Sequence, residues 1–313
     1  MPISLKMRTL LLAMRFFGGK PLDKLSISEA RKASDAQIPK SRVPAAIASI
    51  SNCDIPGPES EIPIRIYTPE GEGPFALVVF FHGGGFVVGS LDGYDEFCRN
   101  LCHGAGCIIV SVDYRLAPEN KFPAATDDCL AATRWVAEHA AEFNADPAHI
   151  VVVGDSAGGN LAAVTSLRIR EEGGPFLCGQ LLIYPVTDYH TPATPSYLTN
   201  ANGYLLTRDM MVWFWNQYLD NASEACSPLA SPLRALDLSG LPQAMVITAE
   251  YDPLRDEGEH YAERLQQAGV PTELLRYNGM IHGFLMLGAL FNESRQAIID
   301  TTMWLKKVTS RSG

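Results

Sequence analysis

Ala76-Leu77-Val78-Val79-Phe80-Phe81, Cys107-Ile108-Ile109-Val110-Ser111-Val112 and Ile150-Val151-Val152-Val153 are continuous apolar runs, rich in β-branched and aromatic residues. Each reads as a strand covered on both faces. Ile62-Pro63-Ile64-Arg65-Ile66-Tyr67 alternates instead, as a half-buried or edge strand does. Leu181-Leu182-Ile183-Tyr184, stopped by Pro185, is a further strand, and residues 244–249 and 272–277 complete the set. Helical character lies between them, over residues 94–106, 126–143, 257–268 and 292–308, and from Asn160 onward. Strands alternating with helices predict an α/β fold: a mostly parallel sheet with helices on both faces. Ligands on such a sheet bind beyond the carboxyl ends of its strands.

Two segments break the alternation. Residues 5–17 and 26–36 read as amphipathic helices, the second opened by a Ser26/Glu29 capping box, with Pro39 and Pro44 marking a loop behind them. Residues 188–236 hold prolines, polar residues and a helix over 207–218 with Trp213, Phe214 and Trp215, but no clear strand. This stretch reads as an insertion above the sheet, and the leading helices are a natural partner for its apolar side chains. The expected division is an N-terminal part of a helical cap over 1–50, a catalytic α/β domain over 51–187 and 237–313, and a cap insertion over 188–236.

The 313 residues are 47% hydrophobic and 19% charged, in the range of a soluble globular protein with a substantial core. A net charge of −10 argues against nucleic acid and anionic membrane as main partners. The seven cysteines are odd in number and scattered, so free thiols are expected rather than a disulfide framework. Cys98 and Cys102 share a helix face with Asp95, but no close Cys or His pair completes a metal set. Lys6 and Arg8 before Leu10-Leu11-Leu12-Ala13-Met14 imitate a signal peptide, yet Arg15 interrupts the run and no small-residue cleavage site follows. The reading is an amphipathic helix. No stretch approaches the length of a membrane span, and the expected location is the cytoplasm, without stable membrane insertion.

The chemistry concentrates where strand 150–153 meets the helix behind it. Gly154-Asp155-Ser156-Ala157-Gly158 is a G-x-S-x-G turn in strand–turn–helix context. Glycines on both sides let the serine take a strained backbone conformation, at a helix N-terminus that favours developing negative charge. The serine needs a base. Of the seven histidines, His282 follows the last strand among small residues, whereas His103, His139, His149 and His260 belong to helices or their surroundings. The imidazole needs a carboxylate, and Asp252 stands just past the strand over 244–249, with Glu250 and Asp256 as competitors. The order Ser156, Asp252, His282 is that of the α/β-hydrolases. The backbone N–H of Ala157 and those of His82-Gly83-Gly84-Gly85-Phe86 can receive an oxyanion. A dinucleotide loop is disfavoured, because Gly83, Gly85 and Gly89 have the wrong spacing and open into no helix.

HGGGF at residues 82–86, GDSAGG at 154–159, DPLRDEG at 252–258 and HGF at 282–284 resemble the hormone-sensitive-lipase family of α/β-hydrolases, its bacterial carboxylesterases above all. The resemblance runs from about Pro63 to the C-terminus. It implies a sheet of about eight strands under a helical cap, and a serine carboxylesterase acting on short- to medium-chain acyl esters through an acyl-enzyme, with no metal and no cofactor. Ser156 is then the nucleophile, His282 the base and Asp252 its orienting acid. Ala157, Gly84 and Gly85 form the oxyanion hole with Gly83 as a further contributor, His82 braces the glycine loop, and Asp155 supports the elbow. Amides, carbamates or lactones are alternative substrates, and a non-catalytic small-molecule receptor is an alternative use of the fold. The expected partner is a small-molecule ester, and a final strand and helix at the sheet edge could support a homodimer.

Overall fold

In the computed structural model, residues 3–17, 19–37 and 44–310 are described. Pro39, expected in a loop, lies outside them. The apolar runs form the centre of one eight-stranded sheet: β1 (Ser49–Pro56), β2 (Glu61–Thr68), β3 (Phe75–Phe81), β4 (Ile108–Val112), β5 (Ala145–Asp155), β6 (Leu177–Ile183), β7 (Ala244–Tyr251) and β8 (Thr272–Ile281). Their order is β1-β2-β4-β3-β5-β6-β7-β8. β2 is antiparallel to both neighbours and β3 to β8 pair in parallel, so β2 alone runs against the rest. Period-two alternation splits each central strand between two cores. Leu77, Val79, Phe81, Ile150 and Val152 face one; Val78, Phe80, Val151 and Val153 face the other. All nine are fully buried, each contributing about 1.5–3 kcal/mol. The strand ends that carry the chemistry are thus anchored in the best-buried part of the molecule.

Helices α3 (Asp95–Ala105) and α9 (Asn292–Thr309) contribute to the second core, and α4 (Ala124–Glu138), α5 (Ala157–Glu172) and α8 (Arg255–Gln267) to the first. Two expectations need correction. β1 was not visible as a strand: of its eight residues only Ile55 is buried, and what holds it is its ladder to β2. It begins at Ser49, so the boundary placed after residue 50 falls inside it. The single helix expected over 126–143 is broken. α4 stops at Glu138 and a 3₁₀ turn (Ala140–Phe143) follows. At the break His139 donates from Nδ1 to the Trp135 carbonyl (2.9 Å) and stacks on the Trp135 ring, which holds it outside helical geometry.

The leading segment holds α1 (Leu5–Phe17) and α2 (Ile27–Gln37). Ser26 and Glu29 form the expected capping box: Glu29 accepts from the Ser26 N–H at 3.0 Å, and Ser26 Oγ accepts from the Glu29 N–H at 3.4 Å. α2 is tied to the sheet's loops by Arg31, which donates to the carbonyls of Val87 (2.9 Å) and Ala117 (3.1 Å) and pairs with Glu119. The insertion carries α6 (Pro195–Thr199) and α7 (Arg208–Tyr218). A turn at Leu22–Lys24 packs on α7, so the leading segment and the insertion meet there. Among the described residues no helix is long and apolar enough to cross a membrane.

Candidate active site

Ser156 sits between β5 and α5 with φ 55° and ψ −118°. Strain of this kind costs about 1–3 kcal/mol and persists only where surrounding structure enforces it. Two features do so here. The end of β6 and the segment behind it grip the serine backbone from both sides: the Ser156 N–H donates to the Ile183 carbonyl (2.8 Å), and the Val186 N–H donates to the Ser156 carbonyl (3.1 Å). Close backbone approach does the rest. A Cβ on Gly158 would stand 1.9 Å from the Phe81 carbonyl oxygen of β3. Only glycine lets α5 start that close to the sheet.

The loops after β7 and β8 bring Asp252 and His282 to this turn. His282 Nε2 lies 2.9 Å from Ser156 Oγ, and His282 Nδ1 lies 2.7 Å from Asp252 Oδ2. The carboxylate can only accept from Nδ1, which assigns the proton to Nδ1 and leaves the Nε2 lone pair facing the serine hydroxyl. All three side chains are buried. Asp252 Oδ1 accepts from the Leu254 N–H (2.9 Å), and Asn200 of the insertion donates to the Asp252 carbonyl (3.1 Å). The competing carboxylates are engaged elsewhere. Glu250 accepts from the Gly279 N–H (2.7 Å), and Asp256 from the Ser196 N–H (2.7 Å). The Tyr184 ring packs against the imidazole, centroids 4.6 Å apart.

The glycine loop behind β3 faces the same serine turn. Among the described residues, the N–H groups of Gly84, Gly85 and Ala157 donate to no protein acceptor. Gly83 departs from expectation. Its N–H is taken up by Asp155 Oδ1 (2.7 Å) and by Tyr94 Oη (3.1 Å), so it is not a free donor. Asp155 therefore ties the glycine loop to the elbow. Burial pushes its carboxyl up to about 6, against the opposing pull of the Tyr94 hydroxyl, the Gly83 N–H and the nearby His282. His82 is fully buried beneath the loop. Its Nδ1 donates to the Gly83 carbonyl (2.7 Å), the Tyr114 ring stacks on it at 4.4 Å, and burial lowers its proton affinity. A neutral, hydrogen-bonded imidazole suits bracing and not proton exchange.

The insertion touches both loops. Gly85 has φ 59°, and a Cβ there would lie 2.2 Å from Cδ1 of Phe214 on α7. Leu205 approaches Gly283, beside His282, to 3.4 Å of the corresponding position. The base of the insertion is held by Glu257, a buried α8 carboxyl that accepts from the Thr187 N–H (2.8 Å) and that burial pushes well up. Tyr94 and Tyr184 were missed by sequence reasoning. Tyr94 carries no local signal, whereas Tyr184 precedes Pro185 at a strand end, the place where site residues collect.

A family model described as the alpha/beta hydrolase fold matches residues 78–286. The chain is 46% identical over 250 residues to the carboxylic ester hydrolase LipN of Mycobacterium tuberculosis, a match covering 78% of this chain and 66% of that enzyme. It is 38% identical over 289 residues to an ethyl acetate hydrolase of Pseudomonas putida, covering 89% of each. Among solved structures, a hyperthermophilic esterase from the archaeon Pyrobaculum calidifontis superposes with a TM-score of 0.92 at 40% identity, over 98% of this chain and 99% of that one.

Proposed function

Because the chain belongs to the α/β-hydrolase family, we propose that its ester-hydrolase activity runs through an acyl-serine intermediate on Ser156, with short- to medium-chain acyl esters of small alcohols as substrates. The observation that carries this reading is the unbroken relay from Asp252 Oδ2 through His282 to Ser156 Oγ, at 2.7 and 2.9 Å. His282 Nε2 takes the hydroxyl proton as Ser156 Oγ attacks the acyl carbon. The oxyanion is received by the N–H groups of Ala157, Gly84 and Gly85. His282 then gives its proton to the departing alkoxide, and the alcohol leaves. Water, deprotonated by the same nitrogen, attacks the acyl-serine and releases the acid. Asp252 holds the imidazole in the required tautomer and stabilises the imidazolium. In this reading residues 1–50 and 188–236 cover the site and set acyl length.

The test is turnover of p-nitrophenyl butyrate by the purified chain and its Ser156→Ala variant, followed by a series of longer acyl chains. Turnover abolished in the variant, with unchanged thermal unfolding, is the expected result. Full activity in Ser156→Ala would remove the serine from the chemistry. A rate that rises steadily toward long acyl chains would overturn the assigned substrate range.

A further inference from the structure

α1 is apolar on two faces. Met7 is fully buried, and Leu10 and Leu11 pack against the same core. On the opposite side Leu5, Leu12 and Phe16 are 81%, 54% and 73% exposed. At 100° per residue these three lie within about 40° of one another, with Thr9 on their flank. They form one water-facing stripe. Arg8 and Arg15 border it on one side and Lys6 on the other, all three exposed. Lys6 is held by the Leu290 carbonyl and sits over the Phe291 ring at 5.4 Å. Among the described residues neither Arg8 nor Arg15 has a carboxylate partner.

Charge separates along the chain in the same sense. Residues 1–22 contain Lys6, Arg8, Arg15 and Lys20 and no acid, so the rest of the chain stands at −14. The overall charge of −10 argues against an anionic surface for the molecule as a whole, but this face is locally the reverse. We propose that α1 docks the protein peripherally on an anionic phospholipid surface. Leu5, Leu12 and Phe16 enter the acyl boundary, and Arg8 and Arg15 meet the phosphates. An apolar stripe with cationic borders is the arrangement of a helix lying in the plane of a lipid interface. Repulsion of the acidic body favours an approach by way of α1. A second copy is a poorer occupant, because a two-fold contact through this stripe sets cationic border against cationic border.

The experiment is co-sedimentation of the full chain with vesicles of phosphatidylcholine alone and of phosphatidylcholine with phosphatidylglycerol, across a salt series. The expected result is binding to the mixed vesicles only, released by salt. Phe16→Ser and Leu12→Ser should each weaken it by about tenfold or more. The double variant Arg8→Gln/Arg15→Gln should weaken it by about 30-fold. All variants should keep the wild-type thermal unfolding midpoint, which shows that they are folded. Absence of binding to either vesicle would overturn the proposal. So would salt-independent binding to both, or binding unaffected by Phe16→Ser. A solution oligomer dissociated by Phe16→Ser would reassign the stripe to a contact between copies. Binding to polyglutamate but not to vesicles would reassign it to an acidic protein.

Discussion

Gly85→Ala tests how the insertion and the glycine loop fit together. An added Cβ would lie 2.2, 2.3 and 2.6 Å from Cδ1, Cγ and Cε1 of Phe214. Carbon atoms rest at about 3.5–4.0 Å, so the overlap is roughly an ångström or more at each of the three ring atoms. The Phe214 ring is buried and lies against Trp213 at 5.1 Å, which limits its escape. Holding alanine at φ 59° adds about 1–2 kcal/mol. The strain should displace the loop and misdirect its N–H groups, and losing one such donor costs roughly 100-fold or more in kcat. The assay is a double-mutant cycle on p-nitrophenyl butyrate, with kcat, KM and the urea midpoint measured for wild type, Gly85→Ala, Phe214→Ala and the pair. Removing the ring removes the collision, so Gly85→Ala should cost at least about tenfold less in kcat when Phe214 is already alanine. Additive effects on both kcat and midpoint would refute the reasoning, because Gly85 would then act independently of α7.

Asp252→Asn should lower kcat by about 10⁴, whereas Asp256→Asn, which disturbs the contacts to Ser196 and Arg255, should change it less than about threefold; equal losses would show that the wrong carboxylate was paired with His282. Asp155 holds its proton up to about 6 in the fold against about 3.9 in an unfolded chain. Its contribution to stability is therefore fully present below the lower value and is lost, by about 3 kcal/mol, as pH rises through the upper one; urea titrations at about pH 4.5 and about pH 7.5 should show a smaller wild-type advantage over Asp155→Asn at the higher pH, and an equal advantage would contradict the assignment. Gly158→Ala places a methyl against a backbone carbonyl that cannot step aside, and thermal unfolding should fall by roughly 5 °C or more or soluble protein should be lost; an unchanged Tm would mean that the elbow is looser than drawn.

The central strands and the elbow were readable because their signals are local. Residues 150–153 are apolar whichever way they face, and Gly154 to Gly158 carry the turn's steric demands within five positions. His282 and Asp252 were found because a parallel sheet delivers every strand end to the same side. The remainder depended on contacts that no short window contains. β1 is a strand through its ladder to β2 and not through its own side chains. Gly83 looks like its neighbours Gly84 and Gly85, and only the carboxylate of Asp155, 72 positions away in the chain, shows that its N–H is already used. The break after α4 turns on one histidine stacking on the tryptophan of the preceding turn.

The end of β6, with the short segment behind it, has a mechanical consequence. Its backbone holds Ser156 on both sides while its Tyr184 ring rests on His282. Ser156 and His282 are thus mounted on a shared bracket, although 126 positions separate them. When the sheet breathes, that bracket carries both partners in the same direction, and their separation is disturbed less than the absolute position of either.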